Sequence, residues 1–227
     1  MKTLTLGLVL LGIASSTFAI DKVQLDNRIR TLTGKFEELQ ANPDKCVPAE
    51  NLQKARGIIL LDRTKAAFVF GYQGGGGVAL VKDPKTEKWS AAGFMGAKEG
   101  SFGVQIGGEQ TFYVILLMST NATRLLVEPR FEFGGEARGT AGDSTAVEEG
   151  KAIEPDPTVL VYDNRKGLYG GAAIKGGSIS PDEEANRVYY QEYVTMKDIL
   201  FEKKVKPTEA ATALANKLTE YSKNSKK

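Results

Sequence analysis

Four consecutive glycines, Gly74, Gly75, Gly76 and Gly77, lie between two apolar segments, and no other feature of the chain constrains its fold as sharply. A residue without a Cβ serves where another backbone comes close or where the chain bends. A phosphate loop of the P-loop kind needs Gly-x-x-x-x-Gly-Lys-Ser/Thr, and no Lys-Ser/Thr pair follows Gly77. A dinucleotide fingerprint needs a helix after its glycines, whereas Val78, Ala79, Leu80 and Val81 read as strand. The run therefore predicts close packing or bending of strands. Gly93, Gly96, Gly100, Gly103, Gly107, Gly108, Gly134, Gly135, Gly167, Gly170, Gly171, Gly176 and Gly177 repeat the theme. In all, 25 of 227 residues are glycine, well above the usual ~7%. Glycine inside strands marks bulges, bends and barrel corners. The expected fold is α+β: a curved, mainly antiparallel β-sheet or partly closed barrel, with N- and C-terminal helices packed on it.

Composition removes whole classes of chemistry. Histidine is absent, which excludes Ser-His-Asp and Cys-His catalysis and His-ligated zinc. Cys46 is the single cysteine, so neither an intrachain disulfide nor a Cys₄ metal site can form. In an oxidising compartment it is either buried or available to pair between chains. Lys+Arg is 30 and Asp+Glu is 28, without the basic excess of a nucleic-acid binder. Asp143, Asp163 and Asp182 would matter to an enzyme or a divalent cation only if they converged. The sequence is read as non-enzymatic, with no cofactor, no metal and no nucleic acid.

The N-terminus has the three parts of a secretory signal: Lys2, an apolar run over residues 4–14, and a small-x-Ala site at Thr17, Phe18 and Ala19. Cleavage there leaves 208 residues and removes Lys2, so the net charge falls from +2 to +1. No later run approaches 18 apolar residues, so no transmembrane span is expected in the mature chain. The expected location is the periplasm or outside the cell, free or peripheral to a membrane. The division is a signal over residues 1–19, one domain over 20–221 and a basic tail over 222–227. Residues 201–227 hold seven lysines and three glutamates, so net charge is concentrated at the C-terminal end.

Leu25, Ile29, Leu32, Phe36 and Leu39 recur at helical spacing, with Asp21 or Asp26 as a cap and Asn42-Pro43 as a stop. This amphipathic helix either packs on the domain or presents its face to a membrane or partner. A short helix follows Pro48. Apolar runs over 57–61 and 66–70, separated by a charged turn at Asp62 and Arg63, predict two strands. Further strands are expected over 78–81, 102–108, 111–118 and 131–133, and as a pair over 159–162 and 170–174. Asn121 is the expected cap of a short helix, and Asp182, Glu183 and Glu184 open another. The last helix is expected over 208–221, starting at Pro207. Trp89 reads as a core plug or rim aromatic.

Several of these blocks together resemble the SYLF domain family, also called the Ysc84-like actin-binding or lipid-binding domain. They are Ala55-Arg56-Gly57-Ile58; Gly74, Gly75 and Gly77 up to Val78; Trp89-Ser90-Ala91 with Gly96; and Gly103-Val104-Gln105-Ile106-Gly107. Leu160-Val161-Tyr162, then Gly167 to Gly171, Gly176, Asn186 and Tyr189-Tyr190 complete the series. The resemblance covers roughly residues 40–205. Where the family has a Gly-Pro step the sequence reads Gly139-Thr140, without the proline.

The resemblance implies a non-enzymatic module. Eukaryotic members look like phosphoinositide- and membrane-binding domains, some of which bind actin, and the chain resembles an exported bacterial member. In lipid-binding members an N-terminal amphipathic helix and nearby basic residues make the contact. The matching positions here are Lys22, Arg28, Arg30 and Lys35. The expected partner is anionic phospholipid, reached peripherally. The alternative is an envelope protein, bound by a module without lipid affinity.

Overall fold

A computed structural model describes residues 20–68, 70–101, 107–133, 159–165, 167–169 and 177–223. Residues 1–19, Gly103, Gly134, Gly135, Gly139, Asp143, Gly170, Gly171, Gly176 and residues 224–227 lie outside the described residues. Helix α1 (Lys22–Ala41) opens with a capping box. Asp21 Oδ1 accepts from the Gln24 N–H at 2.8 Å, and the Gln24 side chain accepts from the Asp21 N–H. It stops at Asn42, where Pro43 disfavours further helix. Helix α2 (Ala49–Lys54) follows Pro48.

The strands are β1 (Gly57–Phe68), β2 (Phe70–Val81), β3 (Gly93–Ser101), β4 (Gly107–Leu117), β5 (Phe131–Phe133), β6 (Val159–Asp163), β7 (Gly167–Tyr169) and β8 (Gly177–Pro181). Four further α-helices, α3 (Thr120–Thr123), α4 (Glu183–Tyr190), α5 (Met196–Leu200) and α6 (Glu209–Lys223), and a 3-10 helix at Arg124–Val127 complete the described chain. The strands form one eight-stranded sheet in the order β5-β8-β3-β2-β1-β4-β6-β7. Every pairing is antiparallel, and the sheet is open, with β5 and β7 at its edges. One lateral row runs Pro181, Met95, Gly77, Leu61, Tyr113, Asp163, Gly167.

Side chains alternate between faces with period two, and both faces of the central strands are buried. On one face Ile58, Leu60, Val78, Phe94 and Val114 meet the apolar stripes of α1 and α6. On the other, Ile59, Leu61, Met95 and Ile115 meet Leu126, Met196, Ile199 and Leu200. The N- and C-terminal helices therefore share one face, as expected of helices packed on a sheet.

Several expected boundaries move. Asp62 and Arg63 do not form a turn, because β1 runs straight through them. Each charged side chain finds a partner on its own face. Asp62 takes Lys35 of α1 at 2.5 Å, while Arg63, only 4% exposed, hydrogen-bonds Tyr113. Strand β3 occupies Gly93–Ser101, ahead of the strand expected over 102–108, of which residues 102–106 lie outside the described residues. The second arm of the late pair starts at Gly167, not Gly170. Helix α3 is capped by Ser119, whose Oγ accepts from the Ala122 N–H at 3.1 Å, and not by Asn121.

The glycine run lies inside β2, opposite Leu61, Asp62, Arg63 and Thr64. A Cβ on Gly77 would stand 2.6 Å from the Leu60 carbonyl oxygen, and one on Gly75 would strike the Asp62 carbonyl. At Gly76 a Cβ would meet the Arg28 guanidinium at 3.0 Å. None of these three has left-handed backbone. Close approach, rather than bending, is what these three glycines permit.

Candidate functional site

Helix α1 carries the cationic residues singled out by the sequence, and the sheet decides which way each turns. Leu25, Ile29, Leu32, Phe36 and Leu39 are all buried, so the apolar stripe lies on the sheet. Lys22 is exposed. Arg30 lies outward too, paired with Asp26 at 2.9 Å and with Glu209 of α6 at 3.8 Å. Arg28 is half-buried over Gly76, and Lys35 reaches inward to Asp62. The four side chains do not share one patch.

Three of the seven lysines of residues 201–227 are matched by acids. Lys203 pairs with Asp83, Lys204 with Asp198 at 2.6 Å, and Lys217 with Glu37 of α1 at 2.8 Å. These ion pairs offset part of the positive charge counted along the sequence.

A cleft of about 300 Å³ opens where the second half of α1 passes the β4–β6 side of the sheet. Lys35, Glu38 and Leu39 line it from α1, and Asn42 and Lys45 from the segment after. Phe112 of β4 and Asn164, just past β6, close the other side. Lys45 Nζ donates to the Asn164 carbonyl at 2.9 Å. The Asn164 N–H donates to the Phe112 carbonyl, and Asn164 Oδ1 accepts from the Phe112 N–H, each at 3.2 Å. Sequence reading missed this cleft, because Lys45 and Asn164 are 119 positions apart and neither sits in a periodic pattern. Cys46 beside it is half-buried and free.

The residues of the family pattern act as stitches. Ser90 Oγ accepts from the Val81 N–H at 3.0 Å and donates to the Ala91 carbonyl, fastening the β2–β3 connection. Trp89 is a rim aromatic, half-buried, with Lys82 Nζ 4.9 Å from its ring centre. That ammonium also donates to the Leu52 and Gln53 carbonyls at the end of α2, and burial lowers its pKa. Asn186 is fully buried, and its Oδ1 accepts from the Phe94 N–H at 2.8 Å. The Tyr190 hydroxyl donates to the Ala92 carbonyl at 2.6 Å, and burial raises its pKa. Gly74, Gly75 and Gly77 lie in β2, while Gly107 and Gly167 open β4 and β7.

The three acids are not brought together. Asp163 is fully buried and accepts from the Arg165 N–H at 2.8 Å, with the guanidinium at 3.4 Å. Asp182 caps α4 through the Ala185 N–H at 3.1 Å. Their strands are five steps apart in the sheet, roughly 24 Å along it. Asp143 is outside the described residues. Among the described residues no group of three potential metal ligands occurs, and no helix is long and apolar enough to cross a membrane.

A family model described as Ysc84, Las17-binding protein actin regulator, matches residues 98–221. Human SH3 domain-containing YSC84-like protein 1 is 30% identical over 180 residues, covering 78% of this chain and 52% of that protein. The Xenopus laevis protein of the same name is 32% identical over 171 residues, 74% of this chain and 51% of its own. Protein YSC84 of Saccharomyces cerevisiae is 31% identical over 161 residues, 69% of this chain and 34% of its own. The chain thus spans about half the length of the vertebrate relatives and a third of the yeast one. No solved structure gives a significant match.

Proposed function

The chain belongs to the Ysc84 (SYLF) family, and from that premise we propose that it is an exported binding module making peripheral contact with anionic headgroups. The matched family is described as a Las17-binding protein and actin regulator, a binding description rather than the name of a reaction. The export half of the reading rests on the signal pattern of residues 1–19.

The observation that carries the lipid half is the orientation of α1. Its apolar stripe is used in the core, while Lys22 and Arg30 on the same helix face outward. Contact is then electrostatic and shallow. Each Lys or Arg held near an anionic surface contributes about 1 kcal/mol, an attraction that falls off within a Debye length.

Co-sedimentation of residues 20–227 with phosphatidylglycerol vesicles at low and high salt tests this. Binding should be present at low salt, weaken in a Lys22→Glu/Arg30→Glu variant, and vanish at high salt. Absence of binding at low salt would reject the lipid reading. It would favour the second reading, a protein-interaction module, which the matched family's description as a Las17-binding protein supports. That reading expects a defined partner on crosslinking and no vesicle affinity.

A further inference from the structure

We propose that the cleft between the second half of α1 and the β4–β6 side of the sheet binds a zwitterionic phosphate–ammonium group of the phosphoethanolamine kind. Its volume of about 300 Å³ suits a small ligand, and its charges select the type. Lys35 is neutralised by Asp62 at 2.5 Å. Lys45 instead donates to a neutral carbonyl, that of Asn164. Its full charge and two of its three N–H donors remain for a ligand. Glu38 is exposed and makes no ion pair among the described residues. The cleft therefore presents one uncompensated cation and one uncompensated anion. A simple anion or cation would meet one favourable and one unfavourable charge there, whereas a zwitterion meets two favourable ones.

The neutral groups fit the same ligand. Asn164 Oδ1 accepts from the Phe112 N–H, and Asn42 Oδ1 accepts from the Asp44 N–H. Both amide oxygens are thus engaged, which leaves each Nδ2 as the end that donates. Phosphate oxygens take Lys45 and these amides, and the ammonium takes the Glu38 carboxylate. The buried side chains of Leu39 and Phe112 form an apolar floor for the two methylenes between.

This goes beyond the lipid reading by adding a zwitterionic headgroup to the anionic surface, and the experiment separates the two. Residues 20–227 are titrated calorimetrically with O-phosphoethanolamine, inorganic phosphate and ethanolamine, with thermal melts confirming that each variant folds. Phosphoethanolamine should bind about tenfold or more tighter than either fragment. Lys45→Ala should weaken phosphoethanolamine and phosphate alike, while Glu38→Gln should weaken phosphoethanolamine and spare phosphate. No saturable binding of phosphoethanolamine, or a Glu38→Gln variant that binds it as tightly as the parent, would overturn the proposal. Vesicles mixing phosphatidylethanolamine with phosphatidylglycerol identify the source. Lys45→Ala and Glu38→Gln both lower retention if the headgroup is held on lipid, and neither does if the free compound is the ligand. Salt-sensitive binding to pure phosphatidylglycerol without any phosphoethanolamine binding overturns the cleft and keeps the peripheral reading. Phosphoethanolamine binding without any vesicle binding does the reverse.

Discussion

Replacing Gly77 with alanine should destabilise this protein, although alanine loses less entropy on folding. Gly77 is buried in β2, a strand paired on both sides. An added Cβ would lie 2.6 Å from the Leu60 carbonyl oxygen, 3.1 Å from Leu61 Cδ1 and 3.2 Å from Leu61 Cα. Two of those three atoms are backbone of β1, itself held by β4 on its far side. Relief therefore requires β1 to draw away from β2 and stretch the ladder between them. Overpacking of this kind costs about 1–3 kcal/mol, and the stiffer unfolded chain offsets about 0.4–1 kcal/mol. Mid-range values of the two leave a net loss of about 1–2 kcal/mol, or roughly 2–8 °C in melting temperature for a chain of this size. Circular dichroism melts measure it, with fluorescence of Trp89, the only tryptophan, as a second probe of the same transition. Gly34→Ala is the control. Gly34 sits in α1, and beyond the helix's own backbone and its chain neighbours nothing lies within 4 Å of the added Cβ, so it should gain about 0.5–1 kcal/mol. A Gly77→Ala protein melting at or above the parent would refute the close-approach reasoning for the whole glycine run.

Other substitutions test the stitches. Asn186→Ala leaves the buried Phe94 N–H without its 2.8 Å acceptor and should cost about 1–3 kcal/mol, read as a lower urea midpoint at unchanged slope. Tyr189→Phe removes a hydroxyl bonded to Asp26 at 2.9 Å and Thr208 at 2.6 Å. Burial, above all, pushes this phenol up to about 12, above its unfolded value of about 10. The parent should therefore lose stability as pH rises through that interval, and the Tyr189→Phe variant should lose less. Lys203, helped by the Thr86 and Lys85 N–H groups, holds the Asp83 carboxyl well below the usual carboxylate range. Its contribution is present above the unfolded pKa of about 3.9 and lost as pH falls below it. Parent and Asp83→Asn stabilities should accordingly converge on acidification through that region.

Where a single element decides its own conformation, the sequence was a sufficient guide. The stripe Leu25, Ile29, Leu32, Phe36 and Leu39 repeats at helical spacing because one side of α1 is buried, and Asp182 caps α4 by bonding a neighbour three residues away. Where the neighbour is remote, the local signal misleads. Asp62 and Arg63 resemble a turn until Lys35 and Tyr113, from other elements, are placed beside them. Strand β8, only five residues long, buries Ile179 but has no pattern of its own. Helix α5 is a single turn resting on the Thr195–Asp198 capping box. The cleft joins Lys45 to Asn164 across most of the chain, a pairing no spacing rule contains.

The amphipathic pattern of α1 fits a helix docked on a sheet as well as one lying in a membrane, because both bury one side. What separates them is the energy of undocking. Five side chains, Leu25, Ile29, Leu32, Phe36 and Leu39, would leave the core, at about 1.5–3 kcal/mol each. The sum, roughly 8–15 kcal/mol, is as large as the whole stability of an ordinary domain. The Phe36–Tyr221 edge-to-face contact at 5.6 Å and the Lys217–Glu37 pair would be lost as well. Insertion of α1 would have to offset all of this with the same five side chains entering the acyl region, leaving little surplus for affinity. Contact by the docked helix carries no such penalty and draws only on charge. Salt is therefore the discriminating variable. A docked α1 predicts vesicle binding that disappears within the ionic strengths that shorten the Debye length to a few ångströms. Binding that survives high salt would mean that α1 leaves the sheet, and that the buried stripe is the membrane-binding surface after all.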